Sequence, residues 1–284
     1  MSERPLVLLA AVALALPTGS AAQDWRTITS MRQVGRENGL TVDLEYGAGQ
    51  LDLVAGREGV LYRSSLRYDA EVIQPHMSYR SGTLRLGLED IRVRGRNMKS
   101  GQLRLELGPG VPLDLDLQFG AARANIDLTG LSVRSLKVAT GASETDLRIE
   151  QPNPEICEEM DLDVGAASFR AYGIGNLSPR RVEFSGGVGE VTLDFTGSAR
   201  ADMDVGIEMG LGKLTLRVPR GSGVRVHKSG LLVGFDSQEL IKRGDMYYSQ
   251  DWESARRRIT FEVQAALGSV RVVWVDPDNL EFRQ

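Results

Sequence analysis

Cysteine and histidine are nearly absent from this chain of 284 residues: Cys157 stands alone, and His76 and His227 are the only imidazoles. A single cysteine excludes an internal disulfide framework. It lies in EICEEM, where carboxylates raise a thiol pKa rather than lower it. A small, half-buried thiol is expected there, with intermolecular pairing as the alternative. The two histidines belong to no metal-spaced cluster, and no serine has a nucleophile-elbow context. A surplus of positive charge is also missing. Lys and Arg number 34 against 38 Asp and Glu, for a net charge of −4, which sets nucleic-acid binding aside. Beyond the N-terminus no apolar run approaches the roughly 20 residues of a spanning helix.

The one long apolar run is Leu6–Leu16, preceded by Arg4 and followed by Pro17 and Gly19. It is too short to span and is followed by Ser20-Ala21-Ala22, the small-residue pattern of a cleavage site. Residues 1–22 therefore read as a signal peptide cleaved after Ala22, an uncleaved anchor being the alternative. No cysteine follows, so a lipoprotein signal is excluded. The chain is expected to be exported, to the periplasm, the cell surface or the medium.

What the chain has in abundance is glycine, 32 residues, placed with a rhythm. A motif Gly-x-Gly-x-Leu-x-Leu appears as YGAGQLDLV from Tyr46, GGVGEVTLDF from Gly186 and MGLGKLTLRV from Met209. Worn copies begin at Phe119, Thr140, Val164 and Ala266. The first glycines, Gly120, Gly141, Gly165, Gly187 and Gly210, are spaced 21, 24, 22 and 23 residues apart. Two echoes, SGTLRLGL from Ser81 and SGQLRLEL from Ser100, lack that glycine but keep the phase. Around each copy, alternation is strict. Leu113, Leu115, Leu117 and Phe119 share one face of their run and Asp114, Asp116 and Gln118 the other. Period two with one apolar face is the half-buried strand pattern. Each unit reads as strand, glycine corner, strand and polar return, with Gly47, Gly49, Gly120, Gly141, Gly165, Gly187, Gly189, Gly210 and Gly212 at the corners.

A unit of roughly 20–25 residues cannot bury its apolar face alone, so stacking is required. The expected fold is all-β: a single-stack β-solenoid, right-handed and β-helix-like. An antiparallel sandwich would show the same alternation, but the regular phasing and the lack of strong hairpin dipeptides favour the solenoid. The stretch 231–258 breaks the rhythm, and Ser237–Arg243, stopped by Gly244, is expected to form a short helix inside a C-terminal cap. The expected organisation is a signal peptide at 1–22, an N-terminal module at 23–107, repeats at 108–275 with a cap region at 231–275, and a tail at 276–284.

Residues 27–107 resemble the N-terminal module of the bacterial toast-rack family, carried by VDLEYGAGQLDLVAG, LYRSSLRYD and SYRSGTLRLGL. Residues 169–275 are similar to the extracytoplasmic C-terminal region of LiaF-type envelope-stress proteins, through GGVGEVTLDFTG, GLGKLTLRVPRGSGVRV and GFDSQELIKRGDMYY. LiaF-type proteins carry transmembrane helices before this region and the present sequence does not, so membrane-embedded regulation is not implied. The resemblance implies a fold far more than a chemistry.

Chemistry is correspondingly thin. GGVGEVTLD resembles a calcium-binding nonapeptide, but Val191 stands where the ligating Asp belongs. The pairs Asp114/Asp116, Asp161/Asp163 and Asp202/Asp204 could serve hydrolysis, yet outward strand positions need polar residues in any case. Arg92, Arg94 and Arg96, and the run Arg256–Arg258, read as solubilising residues. No catalytic, cofactor or metal residue is assigned. The expected function is a non-catalytic, adhesin-like binding or scaffolding module of the cell envelope, with a protein or glycan partner and Tyr247 and Tyr248 as contact candidates. The alternatives are a carbohydrate-active enzyme using surface aspartates and a soluble partner of an envelope-stress regulator.

Overall fold

The computed structural model describes residues 24–276 apart from 72, 91–100, 231 and 237. The expected signal segment, Arg92, Arg94, Arg96, Ser237 and all but the first residue of the tail lie outside the described residues. The elements are β1 (Trp25–Gln33), β2 (Leu40–Ala55), β3 (Val60–Asp69), β4 (Ile73–Arg80), β5 (Thr83–Asp90), β6 (Gly101–Leu107), β7 (Pro112–Asp127), β8 (Ser132–Thr140), β9 (Glu144–Arg148) and β10 (Glu159–Tyr172). There follow α1 (Ile174–Leu177), β11 (Arg181–Asp194), β12 (Met203–Pro219), β13 (Gly223–Ser229), β14 (Leu232–Asp236), β15 (Leu240–Arg243), β16 (Met246–Ser249) and β17 (Arg258–Val275). All strands join one large, mostly parallel sheet.

Six strands are long and run through the glycine motif without interruption: β2, β7, β10, β11, β12 and β17. The expected pair of short strands flanking a corner is thus a single strand with a bend. The bend is visible in the burial. On β10, Met160, Leu162 and Val164 are buried, and so are Phe169 and Ala171. The step from Val164 to Phe169 spans an odd number of residues, which on a flat strand would put the two runs on opposite faces. Both face the core only because the strand turns a corner between them. The same switch separates Phe184 from Val191, Met209 from Leu214 and Ala265 from Val270.

The bend divides the sheet into two wings around one core. In the first wing β5, the first half of β2, β7, β8 and the first halves of β10, β11, β12 and β17 pair side by side, all parallel, ending in β13. In the second wing β6, the second half of β2, β7, β9 and the second halves of the same strands pair in parallel, ending in β14. Pairing between repeats is therefore parallel, which excludes the antiparallel sandwich. Antiparallel strands occur at the two ends of the stack: β1 on β3, β3 on β6 and β4 on β5 at one, β16 on β13 and β15 on β16 at the other. Aromatic side chains join the wings in the core, with Phe195 edge-on to Phe261 at 5.1 Å and Phe169 6.2 Å from Phe184.

Two expectations are corrected. Leu240–Arg243 is not helical; it is β15, paired antiparallel to β16 with Ile241 opposite Tyr248 and Lys242 opposite Tyr247. Gly244, at φ 63°, supplies the turn between them rather than a helix stop. Cross-strand pairing of Ile241, Tyr247 and Tyr248, and the packing of Phe235 on Tyr247 at 4.7 Å, outweigh the local helical propensity. The helix among the described residues is α1, a single buried turn on the return side. The second correction concerns Asp194, which alternation with the apolar Val191 and Leu193 would place outward beside Thr192. It is buried, with Oδ1 accepting from Thr196 N at 2.9 Å and Oδ2 from Arg217 Nε at 2.7 Å. At the end of β11 the chain folds back over its own last outward residue.

Candidate functional site

The bends stack into a corner that runs across the strands. The ladder from β10 to β11 pairs Val164 with Gly186 and Ala166 with Val188, and skips the glycines between them. The next two ladders skip in the same place, between Met209 and Leu211 and between Ala265 and Leu267. Gly165, Gly187 and Gly210 thus lie in one row with Gly47, Gly120 and Gly141. A β-carbon added to Gly187 would stand 2.8 Å from Gly165 O, and one on Gly210 2.6 Å from Gly187 O. Backbone on backbone leaves no room for a side chain at these glycines, and on β17 the equivalent place is held by the small Ala266. Gly189, Gly212 and Gly268 make a second row two residues on, packed closer still. Gly49 packs against Gly101 in the same way.

Between the two rows stands the middle residue of each Gly-x-Gly. Register places Ala166, Val188, Leu211 and Leu267 side by side, followed by β14 at Leu232. Val188 is 51% exposed, Leu211 42% and Leu267 46%, which makes this an exposed aliphatic ridge at the corner. Ala48 and Ala121 occupy the equivalent places nearer the N-terminus.

A groove of 590 Å³ lies over the row Gly165, Gly187, Gly210 and Ala266, the residues that immediately precede the ridge positions, and it is lined also by Asp163, Ser185, Glu208, Gln264 and Ser229. A second hollow of 460 Å³ continues the line over Gly47, Gly120 and Gly141, walled by Glu45, Gln118 and Asp163.

The wings differ in how their charge is balanced. On the second wing several carboxylates meet cations on the next strand: Glu144 with Arg123 at 2.9 Å, Asp146 with Arg170 at 3.3 Å, Glu190 with Lys213 at 3.0 Å and Asp236 with Arg271 at 3.3 Å, while Asp52 and Asp127 have no ion pair among the described residues. On the first wing register aligns Asp43 with Asp116 and Asp161 with Glu183. Lys137 stands between Asp116 and Asp161. Asp43 is paired with Arg85, Asp114 with Arg134, Glu183 with Arg181 and Glu262 with His227. Glu45, Asp161, Asp163, Asp204 and Glu208 have no ion pair among the described residues.

The candidates from the sequence fall as follows. The three aspartate pairs lie on strands or loops of the first wing and are not gathered at one point; Asp202 accepts a hydrogen bond from Arg258 N at 3.0 Å. Among the described residues no group of three His, Cys, Asp or Glu could hold a metal ion. His227 Nδ1 lies 2.8 Å from Glu262 Oε2. Cys157 is fully buried rather than half-buried, donates to Glu159 O at 3.3 Å, and burial above all pushes its thiol up to about 12. Tyr247 and Tyr248 are not an exposed pair. Each is half-buried, Tyr247 between Phe235 and Lys242, Tyr248 against Trp252 and beneath Arg243. The aliphatic ridge and the unbalanced wing are the features that the motifs did not single out. Their signal was available, in the middle residue of each Gly-x-Gly and in the acids that recur at one phase.

Residues 20–170 match the model of the N-terminal domain of toast_rack, DUF2154, and so extend past the stretch 27–107 that carries the resemblance. No curated protein matches the chain. Among solved structures, a candidate cell adhesion protein from Clostridium sporogenes is similar, at 15% identity and a TM-score of 0.45, over 88% of this chain and 100% of its own. A candidate adhesin from Bacteroides fragilis is similar at 15% identity and a TM-score of 0.42, over 87% of this chain and 97% of its own.

Proposed function

This chain belongs to the toast-rack family defined by that N-terminal domain, and we propose that it is a non-catalytic, exported binding or scaffolding module of the cell envelope. The observation that carries this reading is the alignment of outward side chains into straight rows across successive parallel strands. Such rows offer an extended contact surface. Export is supported by the apolar run Leu6–Leu16 and the small residues at Ser20–Ala22. The architecture that goes with this function is a single, right-handed β-solenoid, in which Gly47, Gly120, Gly141, Gly165, Gly187 and Gly210 mark equivalent corners and residues 231–275 close the end. The partner is an envelope protein or glycan.

Photo-crosslinking in intact cells from positions on the first wing, followed by identification of the captured molecule, tests the reading. Capture of a discrete envelope component is expected. Turnover of an envelope polysaccharide by the purified protein, lost in the double variant Asp161→Asn/Asp163→Asn, would overturn it in favour of a carbohydrate-active enzyme.

A further inference from the structure

The geometry points to the corner groove and its Val188–Leu211–Leu267 ridge as the docking site for an extended, basic segment of a partner polypeptide that carries aliphatic side chains. This assignment deepens the binding-module reading and rests on it.

The first argument is the ridge. Outward corner positions are alanine at Ala48, Ala121 and Ala166, where the backbone turns with nothing to bury. At the three succeeding positions the same place holds Val188, Leu211 and Leu267, each close to half exposed. Stability does not require large aliphatic groups there, since alanine serves the same bend on the neighbouring strands. Three of them in register form a continuous apolar strip rather than scattered surface hydrophobes, and such a strip marks a contact.

The second argument is shape. The floor beside the ridge carries nothing larger than Gly165, Gly187, Gly210 and Ala266, so a partner main chain can approach closely. Strands stacked at about 4.8 Å make the four-strand groove long enough for about four to five residues of extended peptide.

The third is charge. The groove lining carries Asp163 and Glu208, and the continuing hollow adds Glu45, none of them in an ion pair among the described residues. On the opposite wing Glu144, Asp146 and Glu190 are matched by arginine or lysine on adjacent strands. The unmatched acids favour a cationic occupant and repel anionic lipid headgroups, which argues against a membrane as the occupant of the same ridge. The groove beside the ridge has no aromatic side chain in its lining, so a sugar ring has no platform there.

Fluorescence anisotropy with the full mature chain tests the assignment. The probe is a short labelled peptide alternating leucine and lysine, compared with leucine–glutamate and serine–lysine versions. Binding of the leucine–lysine probe alone is expected, weakened roughly tenfold by Leu211→Ser/Leu267→Ser. Asp163→Asn/Glu208→Gln should weaken it comparably and flatten its salt dependence. Lys213→Ala, on the other wing, should leave it unchanged. All these side chains are exposed, and equal urea midpoints verify that the variants fold. Binding untouched by both double variants overturns the assignment. So does preferential binding to vesicles of anionic phospholipid, or a wild-type dimer that Leu211→Ser/Leu267→Ser dissolves, which would make the occupant a second copy. If cellular crosslinks survive in the ridge variant, the ridge assignment alone fails; if the wild type captures nothing and degrades a polysaccharide, the binding-module reading itself fails.

Discussion

Arg217 reaches across from β12 to place Nε 2.7 Å from Asp194 Oδ2, on a carboxylate whose side chain is 4% exposed. The other oxygen of Asp194 accepts from Thr196 N and holds the start of the return loop. A buried carboxylate satisfied on both oxygens is sensitive to the loss of either partner. Asp194→Asn retains an acceptor for Thr196 N and loses the charge-assisted bond, so it should destabilise the fold by about 1–3 kcal/mol. Urea melts measure this, and a change below about 0.5 kcal/mol would mean that the carboxylate is in fact solvated.

Glycines separate into those that the stack requires and those that it tolerates. Gly212 has φ +146°, and a β-carbon there would collide with Gly189 O. Gly87 on β5 has nothing within 4 Å of the same position. Gly212→Ala should cost about 3 kcal/mol or more, since the colliding group is backbone of the neighbouring strand. Gly87→Ala should change stability by no more than about 0.5 kcal/mol. Equal urea midpoints for the two variants would refute the close approach at the corner.

Acid should loosen the N-terminal end through Glu37. The Gly35 and Glu37 backbone amides, with Tyr79 and Arg32, hold its carboxyl down to about 2, from an ordinary value of 4.5. A lowered folded-state value means that the contribution is complete above 4.5 and fades as the pH falls toward 2. Wild type should therefore exceed Glu37→Gln in urea midpoint at pH 6, and the gap should close between pH 4.5 and pH 2. A gap that is constant with pH would show that the carboxylate contributes shape and not charge.

Removing residues 231–284 strips more than a cap. It deletes β17, which pairs with β12 along the whole of Met203–Pro219, and the partners of β13 with it. Two freshly exposed parallel edges would then template association. The truncated chain should aggregate, where wild type stays soluble in sedimentation. A monomeric truncation of unchanged stability would show that the C-terminal part folds as a separate domain.

Much of the core was legible because alternation is a local property. Leu113, Leu115 and Leu117, Val191 and Leu193, and Leu214, Leu216 and Val218 are all buried, as their period requires. Residues whose surroundings come from distant segments were not legible. Asp194 has an outward phase, and its partners are Arg217 on the next strand and Thr196 in the return loop. Leu240–Arg243 has helical propensity, and only its pairing with Met246–Ser249 makes it a strand. The pattern on each side of a glycine suggested two strands, although the odd step from Val164 to Phe169 already contained the bend that joins them. The unbalanced first wing was hidden for a different reason: the overall charge is near neutral, and only register shows which acids share a row.

The ladders from β10 through β11 and β12 to β17 proceed without a register shift, even though β13, β14, β15 and β16 are inserted between β12 and β17. The chain thus behaves like a text with a reading frame. A whole excursion of four strands is spliced between two neighbouring strands and the rows on either side still align. Deleting a single residue before Gly210 would instead turn Val205, Ile207 and Met209 outward and bring Asp204 and Glu208 into the core. Length can change here by complete repeats or by excursions that leave and return at the same phase, and that is how such a surface can grow or shrink without losing its rows.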